Sequence, residues 1–533
     1  VTGIDRRIAE LGELVEGLAA EELGRASGRT TVGRERALLR LLGVSGLDAA
    51  GRPLAAEVVD RYVAGGPGRL GAGVGLPFAM AAVEYDLPPQ QLALDIAAGT
   101  IDLAMEAELL TDPGRRAGAV AEFDRLLGAA YARSDANRTA RTELIDVLGD
   151  PPRPLVGLPL QGEVADAAIA DASDLVRAGV DLVQVEVPAG RELVARMTAA
   201  GVEISSWVSP SGSDEDGDGP APAGSQRGLA ALRAALDEDA AARGAYVRLA
   251  SVAPALGGPE SAAVASVERV DLIVEDPIAE IVGSGIDPDR ALADHVFTAR
   301  LLARAGAGML LGPGAVAVAP DLAAGRPADP ATRAGRALGL QLLAAALAAR
   351  AGLPPDALQV AALPSWIAGE DRPVARAAAE IVLRRTLLAH HPLALVEPER
   401  EHGAWPRWAF VMAALLPAPP VGALVVRQRR DVREGDAAWS RVAARLAGEV
   451  RSAASVAQEL GSGFADRQPR ELSGPAREHA EAALAAAVST LRDLATSGWA
   501  GLLEAGAGEG ALRIGGDAVA PRPGGPDPYI RES

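Results

Sequence analysis

From Pro154 onward the chain repeats one short unit, and this repetition limits the fold more than any single residue does. Apolar or β-branched runs alternate with Ala/Leu/Arg-rich helical stretches. The runs are Leu155–Leu160, Leu182–Val187, Val202–Val208, Tyr246–Ala250, Val270–Val274, Gly308–Leu311, Leu358–Leu363, Leu393–Val396 and Ala423–Val426. Short runs without polar alternation read as strands buried on both faces, and strands separated by helices pair in parallel. Eight or nine such units across roughly 270 residues predict an α/β chain closed into a (β/α)8 barrel of the TIM type.

Helical pattern flanks the repeat on both sides. Apolar residues three to four apart run through Ile4–Leu23, Arg34–Leu42, Pro89–Ala98 and Arg115–Ala132. The same spacing returns in Trp439–Leu460 and Pro475–Ala495, ahead of a Gly/Pro-rich tail. The expected division is a helical region over 1–150, the barrel over 151–430 and a helical extension over 431–533. A chain of 533 residues exceeds what one core fills, which agrees with such a division.

Composition removes whole classes of chemistry. Cysteine is absent, so disulfides, thiolate metal sites and cysteine nucleophiles are excluded, and a cytoplasmic location is expected. No stretch is long and apolar enough to predict a membrane span, and the acid-bearing start VTGIDRRIAELGELVEG does not read as a presequence. A net charge of −19 argues against nucleic acid as partner. All 52 cationic residues are arginine. Without lysine the chain can form neither an internal aldimine with pyridoxal phosphate nor a Walker-A phosphate loop.

Several stretches qualify as sites. The run Val180–Val187 stops at Pro188-Ala189-Gly190 and a helical pattern resumes at Arg191-Glu192, a strand–turn–helix arrangement suited to phosphate. Glu397, Glu399, Glu401, His402 and Trp405 follow a strand, at the end where barrels carry their active sites. His295 falls inside a helical pattern and reads as structural; His390-His391 reads as the cationic end of a helix. Asp214, Asp216, Asp218 and Gly219 imitate the start of a calcium loop, but Ser225 replaces its bidentate glutamate, so the segment reads as a solvated insertion. No histidine pair has metal-ligand spacing, and no metal is expected.

Longer stretches carry a resemblance. Arg29–Asp48, RTTVGRERALLRLLGVSGLD, has the form TTVxxERAxxRLLGxxGxD and is similar to the start of the α subunit of lysine 5,6-aminomutase. Gln90–Leu103, Tyr246-Val247-Arg248-Leu249, Ser266–Asp276 and the tail with Ile514-Gly515-Gly516 and Pro526–Ile530 resemble further segments of that family. The resemblance implies a TIM barrel with helical additions. It also implies a radical amino-group shift supported by adenosylcobalamin and pyridoxal phosphate. In the family a separate β subunit brings both the cobalt-ligating histidine and the Schiff-base lysine, so a cobalamin-bearing β subunit is the implied partner.

The aligned cofactor positions depart from the family. Its phosphate turn RTTGQS corresponds to Val187 through Glu192, including Gly190 and Arg191, which places valine and glutamate where arginine and serine are expected. The family's phosphate-binding serine aligns with Pro254, its ring-stacking tyrosine with Ala279, the arginine five residues later with Ser284, and its Asp-Asn pair with Gly314-Ala315. Retained scaffold with degenerate ligands implies no catalytic residues and no pyridoxal phosphate held by this chain. The expected role is a non-catalytic accessory or reactivating subunit of the aminomutase system, in the company of the β subunit and an ATPase reactivation partner. The alternative is an active α subunit for lysine or ornithine, its cofactor site rebuilt around Arg191 and Arg248. A third reading is an unrelated binding function centred on Glu397–Trp405.

Overall fold

The computed structural model describes residues 3–46, 48, 52–64, 67–160, 165–186, 225–253, 256–283, 286–312, 329–362, 373–388, 391–397, 424–427, 436–460, 468–504 and 518–520. Eight strands form one closed parallel barrel: β1 (Leu155–Pro159), β2 (Leu182–Glu186), β3 (Arg248–Val252), β4 (Leu272–Glu275), β5 (Gly308–Leu311), β6 (Leu358–Ala362), β7 (Leu393–Glu397) and β8 (Leu424–Arg427). β8 pairs back onto β1 with Leu155 opposite Leu424, which leaves no open edge. The (β/α)8 expectation is met. The ninth run, Val202–Val208, lies outside the described residues, and β2 pairs directly with β3, so the barrel closes without it.

Among the described residues of β1 to β6, both faces are largely buried, as the unbroken apolar runs require. Leu155, Leu182, Ala250, Leu272, Val274, Leu310, Ala361 and Ala394 pack together inside the barrel. Their alternates, among them Val156, Val183, Leu249, Ile273, Met309, Val360 and Leu393, join the core between strands and helices. Around the barrel lie α9 (Ala165–Arg177), α10 (Gln226–Arg243), α11 (Gly258–Glu268), α12 (Pro288–Ala305), α13 (Pro330–Arg350), α14 (Pro373–Leu387) and, against α9 and β1, α15 (Asp436–Leu460).

The starts of β3 and β4 fall two residues later than periodicity predicts; ahead of β4, Asp271 serves another purpose, as its counterpart Asp181 does ahead of β2. Both sit in a Val-Asp-Leu sequence just ahead of a strand. Asp181 accepts the Val156 N–H at 2.9 Å, and Asp271 accepts the Leu249 N–H at 2.8 Å, so each carboxylate fastens the preceding strand at the floor of the barrel. Arginines neutralise both: Arg243 and Arg451 at Asp181, Arg141 and Arg233 at Asp271.

Before the barrel come α1 (Gly3–Ser27), α2 (Val32–Leu41), α3 (Leu54–Val63), α4 (Pro67–Ala72), α5 (Gly75–Tyr85), α6 (Pro89–Ala97), α7 (Leu103–Leu109) and α8 (Pro113–Leu148). The 36 residues of α8 span about 54 Å at the helical rise. Arg141 ties it to the barrel floor, reaching Asp271 and the carbonyls of Val270, Ala305 and Gly306. The last long helix, α16 (Gly474–Glu504), lies along α13 and also contacts α1 and α14. Gly335 and Gly339 permit that approach. A Cβ on Gly335 would stand 2.1 Å from the Ala483 carbonyl oxygen.

α2, which carries most of the RTTVGRERALLR sequence, is buried, and its polar residues all have architectural partners. Thr31 caps the helix and bonds Asp294 on α12. Glu35 accepts the Thr30 hydroxyl and the Val74 N–H, both at 2.7 Å. Arg36 reaches Asp60 at 2.7 Å and Arg40 reaches Glu260 on α11 at 3.2 Å. Charges buried this way are tolerated only when paired; Thr31 and Arg40 fix how the helical region docks on the barrel's helices, while Glu35 and Arg36 hold the helical region together. Thr30 also pairs with Val519 of the tail through two backbone hydrogen bonds.

Candidate functional site

The candidate site is the mouth at the C-terminal ends of the strands, where barrels of this kind carry their ligands. Alternation from Leu182 puts Gln184 and then Glu186 of β2 on the inward face, and alternation from Leu272 and Val274 brings Asp276 to the same side. Gln184 is buried, and its Oε1 has no hydrogen-bond partner among the described residues. Asp276 lies over Gly312, where a Cβ would approach its Oδ2 to 2.2 Å, and accepts the Ala279 N–H at 2.9 Å. The neighbouring inward positions are small: Gly157, Ala250, Ala361 and Ala394.

Side chains from outside the barrel hold this rim in shape. The Gln341 amide donates to both the Gly312 carbonyl at 2.8 Å and the Ala361 carbonyl at 2.7 Å, joining β5 to β6 beyond their ladder. Arg384 supports Gln341, Glu380 pairs with Arg384 at 3.1 Å, and His479 of α16 stands 3.4 Å from Glu380. Trp439 of α15 donates its indole N–H to the Pro159 carbonyl at the end of β1.

Behind β4 lies a buried acid–base cluster. Glu275 faces outward beside His295, whose Nδ1 is 3.3 Å from Glu275 Oε1 and whose Nε2 is 3.0 Å from the Ala344 carbonyl oxygen. A neutral imidazole has one N–H, so filling both contacts requires a second proton on the pair. Burial pushes the His295 pKa down, but the Glu275 carboxylate outweighs it and the net shift is upward. Glu280 lies in the π-helical turn Ala279–Gly283 after β4. Burial, then repulsion from Glu275 and Asp294, raises its carboxyl well above the usual range. Its Oε1 accepts the N–H of Leu256, a residue at φ +61°, and so ties the loop after β3 to the turn after β4.

Of the residues singled out in the sequence, Ala279 is described. It is buried at the start of the π-helical turn and offers a methyl group, not a ring. Val187, Gly190, Arg191, Glu192, Pro254, Ser284, Gly314 and Ala315 lie outside the described residues, as do Glu399, Glu401, His402, Trp405 and Asp214, Asp216, Asp218 and Gly219 of the calcium-like loop, whose Ser225 caps α10. Arg248 is corrected: it is the first residue of β3, at the N-terminal face, and pairs there with Asp150. The four further residues of β3 separate it from the mouth, so it is not placed as a phosphate ligand there. His295 is structural, as its helical context suggested. Sequence reading missed Gln184, which sits inside an apolar run and shares its strand's inward face with Glu186.

The described inward residues at the mouth do not by themselves fit a phosphate-bearing cofactor. The described inward groups there are an amide and two carboxylates, with no cation among them. A dianionic phosphate needs donors, and carboxylates beside it raise its electrostatic energy. Among the described residues no group of histidine and carboxylate side chains is arranged to hold a metal ion, and no helix is long and apolar enough to cross a membrane.

The family model for the D-lysine 5,6-aminomutase TIM-barrel domain of the α subunit matches residues 5–401. The chain belongs to this family. The lysine 5,6-aminomutase α subunit of Fusobacterium nucleatum is 27% identical over 298 residues, 55% of this chain and 52% of that protein. The α subunit from Acetoanaerobium sticklandii is 30% identical over 270 residues, 50% of this chain and 48% of that protein. This chain thus spans about half the length of the curated relatives it matches. Among solved structures, a dihydropteroate synthase from Anaplasma phagocytophilum is 14% identical with a TM-score of 0.33, covering 58% of this chain and 99% of that one. That likeness carries nothing about function.

Proposed function

We propose that this chain is a non-catalytic accessory or reactivating subunit of an adenosylcobalamin-dependent lysine 5,6-aminomutase system. The observation that carries the reading is the mouth itself: a closed, braced barrel whose described inward groups are Gln184, Glu186 and Asp276. Apolar patterning decides a fold while the polar groups at its mouth decide the chemistry, and the described polar groups here favour the accessory reading. Adenosylcobalamin would be carried by the β subunit. The chain would work in the cytoplasm, docking that subunit together with an ATPase partner so that damaged cofactor can leave.

The test mixes purified chain with the cobalamin-bearing β subunit, adenosylcobalamin and pyridoxal phosphate. The expected result is a stable complex, no change in pyridoxal absorbance attributable to this chain, and no turnover. Turnover of lysine or ornithine by the pair would overturn the reading in favour of an active α subunit with a rebuilt site. Arg191→Ala would then be expected to abolish cofactor binding.

A further inference from the structure

Ala518, Val519 and Ala520 of the tail return to the residues that lead into α2. Thr30 and Val519 pair as an isolated antiparallel bridge. The Thr30 N–H donates to the Val519 carbonyl at 2.8 Å, and the Val519 N–H donates to the Thr30 carbonyl at 3.0 Å. Arg29 donates from Nη1 to the Ala518 carbonyl at 2.9 Å, while its Nη2 stands 2.9 Å from Asp289 on α12. Helix α4 backs the segment: a Cβ on Gly71 would stand 3.0 Å from the Ala520 carbonyl oxygen and 3.8 Å from Val519 Cγ2.

The helical region fixes its half of this contact without the tail. Thr30 is buried, and its hydroxyl is committed to Glu35 of α2 at 2.7 Å. Arg29 is anchored on α12 by Asp289. What remains for the tail is the Thr30 backbone, whose donor and acceptor need an extended partner because leaving buried polar groups unpaired is costly. The tail meets that need with a valine between two alanines. Gly71 admits only backbone and small side chains so close to α4. Main-chain pairing that supplies affinity, beside small recesses that select side chains, is how a protein takes up an extended peptide.

We propose that Arg29, Thr30 and Gly71 form a peptide-recognition site for an extended segment with a small apolar centre, and that the chain's own tail fills it as a tethered, displaceable ligand. The proposal stands apart from the accessory reading. Three hydrogen bonds and one valine give a free peptide little affinity. Tethering seats the tail by raising its local concentration to about the millimolar range. The same balance makes the site exchangeable, since a segment of like chemistry supplied from outside competes with the tail for the Thr30 backbone.

The probe is a fluorophore-labelled synthetic peptide, GGDAVAPR, residues 515–522, titrated with the full chain and followed by anisotropy. Val519→Pro removes the N–H by which the tail holds Thr30, so this variant should bind the peptide at least about tenfold more tightly than wild type does. Adding Gly71→Leu fills the space behind the peptide, in a helix that accepts leucine more readily than glycine, and should abolish binding. A scrambled peptide should not bind, and unchanged circular dichroism confirms folding. Amide exchange of the wild type gives a second readout that needs no variant. The Val519 amide should be protected, yet exchange at least about tenfold faster than the amides of β3 and β4, as a separable segment would. The proposal is overturned if Val519→Pro binds no peptide at millimolar concentration, or if the scrambled peptide or the Gly71→Leu variant binds as well. Exchange at Val519 as slow as in the barrel strands would likewise overturn it, because the tail would then be an integral part of the fold.

Discussion

Asp271 holds together two regions that are far apart in the sequence, and its removal tests that assembly. Four donors converge on its carboxylate: Arg141 Nε at 2.6 Å, Arg233 Nη1 at 3.2 Å, the Tyr246 hydroxyl at 2.9 Å and the Leu249 N–H at 2.8 Å. Arg233 and Asp271 are both buried. Asp271→Ala would strand a buried guanidinium and a buried phenol, and breaking such a pair costs about 3–5 kcal/mol. Guanidinium denaturation followed by circular dichroism reads this directly. The double-mutant cycle Asp271→Ala/Arg141→Ala isolates the bond that secures α8, with an expected coupling of about 1–3 kcal/mol. A pH series adds a signature. Burial alone would raise the Asp271 carboxyl, but Arg141 and Arg233 outweigh it and hold it below the ordinary range. A carboxyl lowered on folding stabilises above its unfolded pKa, and that stability is lost as pH falls through the folded value. Wild type should therefore lose stability below about pH 4 more steeply than the alanine variant. A total cost under about 1 kcal/mol, or coupling near zero, would refute the idea that this carboxylate joins helix to barrel floor.

The cluster behind β4 gives the opposite pH behaviour. Glu280 has a raised folded pKa, so its contribution to stability declines as pH rises from the unfolded carboxyl value toward the folded one. Glu280→Gln keeps an acceptor for Leu256 and should match or exceed wild-type melting temperature at pH 8, while Glu280→Ala costs about 1–3 kcal/mol; destabilisation by glutamine would contradict the assignment. His295, also raised, stabilises fully below its unfolded pKa and loses that contribution as pH rises through the folded value. His295→Gln should therefore cost more at pH 6 than at pH 8.5 in paired denaturation curves. Gly335→Ala should cost about 1–3 kcal/mol or more by forcing α13 from α16. Gly128→Ala, on the exposed face of α8 with open space around it, should add about 0.5–1 kcal/mol in the same assay.

The barrel was readable because its information is local. Each apolar run specifies a doubly buried strand, and the run count specifies closure. Register was less legible. Periodicity started β3 at Tyr246 and β4 at Val270, whereas the tyrosine and Asp271 lie below the barrel and bond each other there. An apolar or polar pattern cannot tell a residue that enters a ladder from one that caps it.

The site divides the same way. Sequence by itself determined the α/β repeat, the helical flanks and a cationic inventory made only of arginine, since these depend on residue type and spacing along one chain. It also showed that Arg29–Asp48 was unusual, but not why. Only the tertiary structure decided that Thr31 and Arg40 dock on Asp294 and Glu260 while Glu35 and Arg36 hold Val74 and Asp60, or that Arg248 faces the barrel floor. Gln184 likewise became a candidate only when the strand's alternation turned it inward, beside Ala250. A buried charge is defined by its partner, and partners more than two hundred residues away leave no trace in local pattern. The closed barrel supplies the proximity that settles which polar residues hold the fold together and which remain for function.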